Sequence, residues 1–207
     1  MKKIYIVMFV LLLLASTYTI ASHFTKQSDN ITEVRITYGE DELSAIDLIK
    51  LVKEINSIEH KSINRDGFEL DGRTIELNKL GGRTEEEAIE KALYDEKKTK
   101  ALKIISKEHN VIVSDDEVEA YLTTLNNDLS SEQKELTAVM AGFASFDEYL
   151  KSPKTISATK LYFVQGKYTK LKINEMIMNK SDMDIEEAKS KAIEEVNKEI
   201  ENIMGKE

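Results

Sequence analysis

The stretch ALKIISKEHNVIVSDDEVEAYL, Ala101 to Leu122, decides the fold class. Its first half is apolar at helical spacing and closes on Asn110, a residue type that tolerates the left-handed conformation in which helices end. Val111, Ile112 and Val113 then read as three extended residues. Ser114-Asp115-Asp116-Glu117 follows, with a hydroxyl three positions ahead of a carboxylate, the reciprocal capping box that opens a new helix. Working outward, Thr84 with Glu87, Ser130 with Gln133 and Ser145 with Glu148 repeat the box, and Ser152-Pro153 sets the chain's single proline at a first helical position. Each cap contributes about 1 kcal/mol, and together they place the starts of five helices. Apolar faces go with them: Val118, Tyr121, Leu122 and Leu125; Leu136, Val139, Met140 and Phe143; Leu161, Val164, Tyr168 and Leu171. A last helix, about Asp184 to Met204, turns Ile185, Ala188, Ala192, Val196, Ile200 and Ile203 toward a partner. The fold class is mainly α.

The order of helix, extended residues and capped helix continues in AGFASFDEYL, Ala141 to Leu150, a short helix set after a glycine turn, and in the long helix from about Pro153. This order resembles the SurA-type N-terminal domain of extracytoplasmic chaperones and PrsA-like foldases, over roughly half the chain. The resemblance implies a SurA N-terminal-like helical domain over 83–207 that binds unfolded segments or exported proteins. In PrsA-like foldases a parvulin-type isomerase domain follows the long helix that corresponds here to residues 153–180. This chain passes instead through Asn179-Lys180-Ser181-Asp182 into its final helix, so a chaperone-like module without isomerase activity is expected. The family carries no catalytic residue onto these positions.

At the other end, Lys2 and Lys3 precede an apolar or weakly polar run of 17 residues, Ile4 to Ile20. Residues 1–21 therefore read as a signal peptide or as an uncleaved membrane anchor. The positive charge ahead of the run orients everything after it outside the cytoplasm. Thr19-Ile20-Ala21 offers a small-x-small cleavage site, so the exported part is either secreted or held at the cytoplasmic membrane. PrsA-like proteins are commonly lipid-anchored through a cysteine after the signal; with no cysteine in the chain that route is closed, as are disulfides, thiol catalysis and Cys-ligated zinc.

The first 21 residues hold only two charges, so the rest carries 27 basic against 38 acidic residues, a formal −11. That balance disfavours nucleic acid as a partner and favours solubility. Residues 22–30 read as a polar linker and 31–82 as a small α+β unit. In it, Glu33 to Tyr38 alternates as a strand with Val34, Ile36 and Tyr38 on one face. A helix from about Asp41 to Ile58 places Ile46, Ile49, Val52 and Ile55 at helical spacing. Asp71-Gly72 between Phe68-Glu69-Leu70 and Thr74-Ile75-Glu76-Leu77 reads as the turn of a β-hairpin. Leu70, Ile75 and Leu77 either complete this small unit or pack directly on the helical region. Near the C-terminus, residues 153–180 hold six lysines and one glutamate, and 181–207 nine acids and four lysines. Antiparallel packing would set these opposite charges side by side.

Chemistry is sparse. His23, His60 and His109 have no metal-ligand spacing and read as solvated. Asp115, Asp116 and Glu117 are first-turn residues favoured by the helix dipole rather than a cation loop. Gly81-Gly82 lacks a phosphate-binding pattern, and no serine sits in a GxSxG elbow. No catalytic residue, cofactor or metal is expected. The candidate site residues are Met140, Phe143, Phe146, Tyr149, Tyr162 and Met176, aromatic and methionine side chains that would either line an adaptable apolar groove for polypeptide clients or pack a core. The alternative is a non-catalytic envelope binding or sensing protein that contacts a specific partner through residues 31–80.

Overall fold

A computed structural model describes residues 35–38, 41–80, 82–179 and 184–206; the expected signal or anchor, the linker and Val34 lie outside them. Helix dominates. Four short strands, β1 (Arg35–Tyr38), β2 (Asp41–Ser44), β3 (Ile63–Arg65) and β4 (Phe68–Leu70), accompany α1 (Ala45–Asn56), α2 (Gly72–Leu80), α3 (Glu85–Glu108), α4 (Asp115–Asp128), α5 (Ser131–Ala141), α6 (Phe146–Lys151), α7 (Pro153–Asn179) and α8 (Ile185–Met204). Both pairs of strands are antiparallel, with Ile36 opposite Leu43 in one and Asn64 opposite Glu69 in the other.

The caps form as their spacing requires. Thr84, Ser114 and Ser130 each accept from the amide three residues on and receive a side chain in return from Glu87, Glu117 and Gln133. Ser145 accepts from the Glu148 amide, but the Glu148 carboxylate reaches back to the Ala144 amide instead of closing on Ser145. Asn110 adopts φ 50°, and the Val111 amide bonds Ser106 O at 2.9 Å, terminating α3.

Two boundaries in the N-terminal half differ from the sequence expectation. The helix expected from Asp41 starts at Ala45, because Asp41–Ser44 pairs with β1 and Ser44 then caps α1. Ile46 consequently faces solvent, and Ala45, Leu48, Ile49 and Val52 form the buried face. The β-hairpin turns one Asp-Gly earlier than expected, at Asp66-Gly67, whose φ angles of 51° and 79° are the paired left-handed values of a type I′ turn. Asp71-Gly72 instead begins α2: the Asp71 carboxylate accepts from the Arg73 amide at 3.0 Å and from Thr74 Oγ1 at 3.1 Å. Gly72 is required for a different reason, since a Cβ there would lie 2.2 Å from the Lys61 carbonyl oxygen. The alternation of Ile75 and Leu77 that mimics a strand arises because α2 is buried on two sides. Ile75 joins Leu70, Ala88, Ile89, Ala92 and Leu93, whereas Leu77 joins Leu48, Val52, Val139 and Met140.

The chain divides into two compact units, one running to Asp95 and resuming over Tyr121–Thr155, the other comprising Glu96–Ala120 and Ile156–Glu207. Their seam does not fall at Gly81-Gly82: the first unit combines β1–α2 with the start of α3, most of α4, α5 and α6. It is tied by Arg65, whose guanidinium meets Glu86 at 2.8 Å and Glu90 at 3.0 Å, and by Arg73. Arg73 donates from Nε to Asn56 Oδ1 at 2.7 Å and from Nη2 to the Val139 and Met140 carbonyls at 3.1 and 2.8 Å, covering the C-terminal end of α5. Gly142 ends that helix at φ 85°, and a Cβ on it would press on the same guanidinium.

The core of the second unit gathers Ala101, Leu102, Ile105, Val111, Val164, Tyr168, Val196 and Ile200. Leu171 and Ile185, expected on inward faces, are exposed.

Candidate functional site

The six side chains singled out by type fall into two groups. Met140, Phe146 and Tyr149 are buried in the first unit at 5%, 8% and 7% exposure, while Phe143 is half-buried beside them. Phe146 stacks on Tyr149 at 5.5 Å between ring centroids, Phe143 meets Tyr149 edge-on at 5.9 Å, and Lys134 Nζ lies 5.9 Å over the Phe146 ring. This triplet exists because the glycine turn after α5 brings Phe143 back over α6. Burial pushes the Tyr149 hydroxyl up to about 12, as expected of a phenol removed from water. Two depressions flank Ser145, one of about 430 Å³ with Phe143 and Lys151 in its wall and one of about 320 Å³ with Phe146, Val139 and Lys53. Tyr162 and Met176 belong to the second unit, both half-buried, with Tyr162 edge-on to Phe163 at 5.8 Å.

The second unit contains a polar cluster invisible in the sequence. Tyr168 donates its hydroxyl to Glu199 Oε2 at 2.7 Å, and His109 Nε2 lies 3.0 Å from both Glu199 Oε1 and the Tyr168 oxygen. With the phenolic proton directed to Glu199, Nε2 of His109 is the donor in this triangle. Partial burial alone would raise the Glu199 carboxyl, but the hydrogen bonds from Tyr168 and His109 outweigh it and hold the group below its ordinary range. Burial first, and the bond to Glu199 second, move the Tyr168 hydroxyl well above its own. His109 is thus engaged rather than solvated, and His60 likewise contacts Ile55 O at 2.8 Å; His23 lies outside the described residues.

Two lysines of α7 find their ion pairs at the first turn of α4, Lys160 with Asp115 at 2.6 Å and Lys167 with Glu117 at 2.7 Å, while Lys172 meets Glu175 of its own helix at 3.4 Å. The α7–α8 charge match contributes through Lys172, which also acts on Glu199. Lys167, together with the Ser114 amide, drops the Glu117 carboxyl to about 2. Asp115 and Glu117 are therefore spent on a cap and on lysines. Among the described residues no group of three or more His, Cys, Asp or Glu could hold a metal ion, and no helix is long and apolar enough to cross a membrane.

Large apolar side chains do reach solvent at positions that sequence reasoning did not select. In the second unit Met178 is 86% exposed and Ile112 68%, with Leu171, Ile185 and Ile193 also exposed; Ile46, Ile58 and Tyr94 are their counterparts in the first. Only the exposure of Ile112, the middle residue of an alternating extended triplet, could have been read from the sequence. The chain matches no protein-family model, no curated protein and no solved structure.

Proposed function

We propose that this chain is an extracytoplasmic chaperone-like protein that holds unfolded or exported polypeptides without isomerase activity. The observation that carries the reading is the set of apolar side chains left in water on the second unit, above all Ile112, Leu171 and Met178. Isolated exposed apolar residues are ordinary, but here they are flexible or β-branched side chains on one small unit, and methionine repacks against dissimilar partners at low cost. The SurA-like helix order supports the same reading, as does the lysine-led apolar run, read as a signal or anchor that would hold the protein at the outer face of the cytoplasmic membrane or be removed by cleavage. Residues from Ser22 onward should slow aggregation of an unfolded model protein at near-stoichiometric ratio and leave the rate of prolyl isomerisation in a peptide unchanged. Apolar contacts should carry this protection through added salt. Absence of protection at tenfold excess refutes the reading, and full resistance of the protein to protease added to wall-less cells refutes the location.

A further inference from the structure

The two depressions beside Ser145 differ in the sign of their charge. The larger sets the Asp147 and Glu148 carboxylates against the single ammonium of Lys151. The smaller, of about 320 Å³, has Lys53, Lys134 and Glu135 on its walls. Glu135 is spent on Lys53 Nζ at 2.7 Å, which leaves the charge of Lys134. Lys134 is half-buried and lies 5.9 Å over the Phe146 ring, with no carboxylate partner among the described residues. An ammonium attracted to a ring face is held at that place, so the cation is already positioned at the mouth. Beneath it the depression is apolar, because Ala138 and Val139 of α5 and Phe146 of α6 line it with buried side chains. Ser131 and Ser145, both exposed, complete the rim.

We infer that this depression binds the C-terminal residue of a polypeptide, with an apolar side chain against Ala138, Val139 and Phe146 and the terminal carboxylate on Lys134. The site lies in the first unit and draws on none of the exposed apolar residues of the second, so it goes beyond the chaperone-like reading and stands apart from it. Charge complementarity calls for an anion, since Lys134 is the cation left unspent. The 5.9 Å between Lys134 Nζ and the Phe146 ring calls for a carboxylate and an apolar group close together in one ligand. A C-terminal residue has that form, because its carboxylate and its side chain share one Cα. An internal Asp or Glu does not, since its carboxylate takes the place of the apolar group. Size separates a peptide end from a fatty acid: about 320 Å³ is at the small end of ligand sites and takes one side chain rather than an acyl chain. The Ser131 and Ser145 hydroxyls also offer donors and acceptors to peptide groups. At the larger depression Asp147 and Glu148 would repel the same carboxylate.

The test follows fluorescence polarisation of a labelled Ser-Gly-Ser-Val-Phe peptide on the protein as isolated from cells, with the C-terminus either free or amidated. The free acid should bind about tenfold more tightly, the scale of one hydrogen bond to a charged group. Added salt should shrink that preference. Lys134→Gln should weaken the acid to the level of the amide, whereas Lys151→Gln, at the other depression, should leave the preference intact. Ala144→Leu enlarges an exposed side chain in the wall and should weaken both peptides. Each variant is read with an unchanged melting curve, and the comparison of acid with amide on wild type stands whatever the variants do. Equal binding of acid and amide overturns the site, as does the absence of saturable binding. So do a Lys134→Gln variant that binds the acid like wild type, equal losses from Lys134→Gln and Lys151→Gln, and displacement of the label by decanoate but not by unlabelled free-acid peptide. Each of these results leaves protection against aggregation, and the reading that rests on it, to its own assay.

Discussion

Replacing Arg73 by Met keeps the aliphatic stem and removes the guanidinium that joins α1, α2 and the end of α5. Three hydrogen bonds go with it, to Asn56 Oδ1, Val139 O and Met140 O. A net contribution of about 0.5–1.5 kcal/mol each gives a loss of about 1.5–4.5 kcal/mol. The upper part of that range is not expected, since the Asn56 contact is solvent-exposed and Val139 O keeps a 2.9 Å bond from Asn56 Nδ2. The carbonyl of Met140, at a helix terminus where no further amide follows in register, bears most of the damage. With a urea slope of about 2 kcal/mol per molar, a loss of about 2.5 kcal/mol lowers the unfolding midpoint by a little over 1 M. Arg73→Lys should recover part of this, because an ammonium reaches one acceptor where the fork reaches several. In a double-mutant cycle with Asn56→Ala, the shared Val139 carbonyl should appear as a coupling of about 0.5 kcal/mol or more. A midpoint within experimental error of wild type for Arg73→Met, at unchanged slope, would refute the claim that this cap holds the first unit together.

Gly72→Ala should destabilise the first unit, although the same change in open space at a helical position stabilises by about 0.4–1 kcal/mol, because the new methyl would sit 2.2 Å from the Lys61 carbonyl; a melting temperature equal to wild type would contradict the close approach. Glu117 makes the acid limb of stability testable. Its folded value of about 2 lies below the ordinary 4.5, so its stabilisation is complete above about 4.5 and is lost as pH falls toward 2. Glu117→Gln should flatten stability against pH over that window, and an unaltered slope would show that the Lys167 pair does not form.

Legibility followed the range of the interactions. The starts of α3, α4, α5, α6 and α7 were readable because a cap is settled within four residues: Ser114 needs only Glu117, and Asn110 only its own backbone. Two Asp-Gly pairs are locally alike, by contrast, and no local rule separates them. Asp66-Gly67 turns a hairpin, while at Asp71-Gly72 the carboxylate caps a helix whose Ile75 and Leu77 find different hydrophobic clusters. The same limit governs the candidate site. Side-chain type brought out Met140, Phe146 and Tyr149, but type does not decide exposure, and neighbouring helices bury all three.

By itself, then, the sequence determined the helical class and the helix starts, properties carried by residues within a few positions of one another. Tertiary structure alone decided the pairing of His109 and Tyr168 with Glu199, 90 and 31 residues away. It also decided that Lys160 and Lys167 of α7 are engaged by the first turn of α4 and the Ile112 carbonyl while Leu171 and Met178 stay exposed. Which apolar residues stay in water depends on where distant segments come to rest, and a stripe of helix reads the same in sequence whether covered or open.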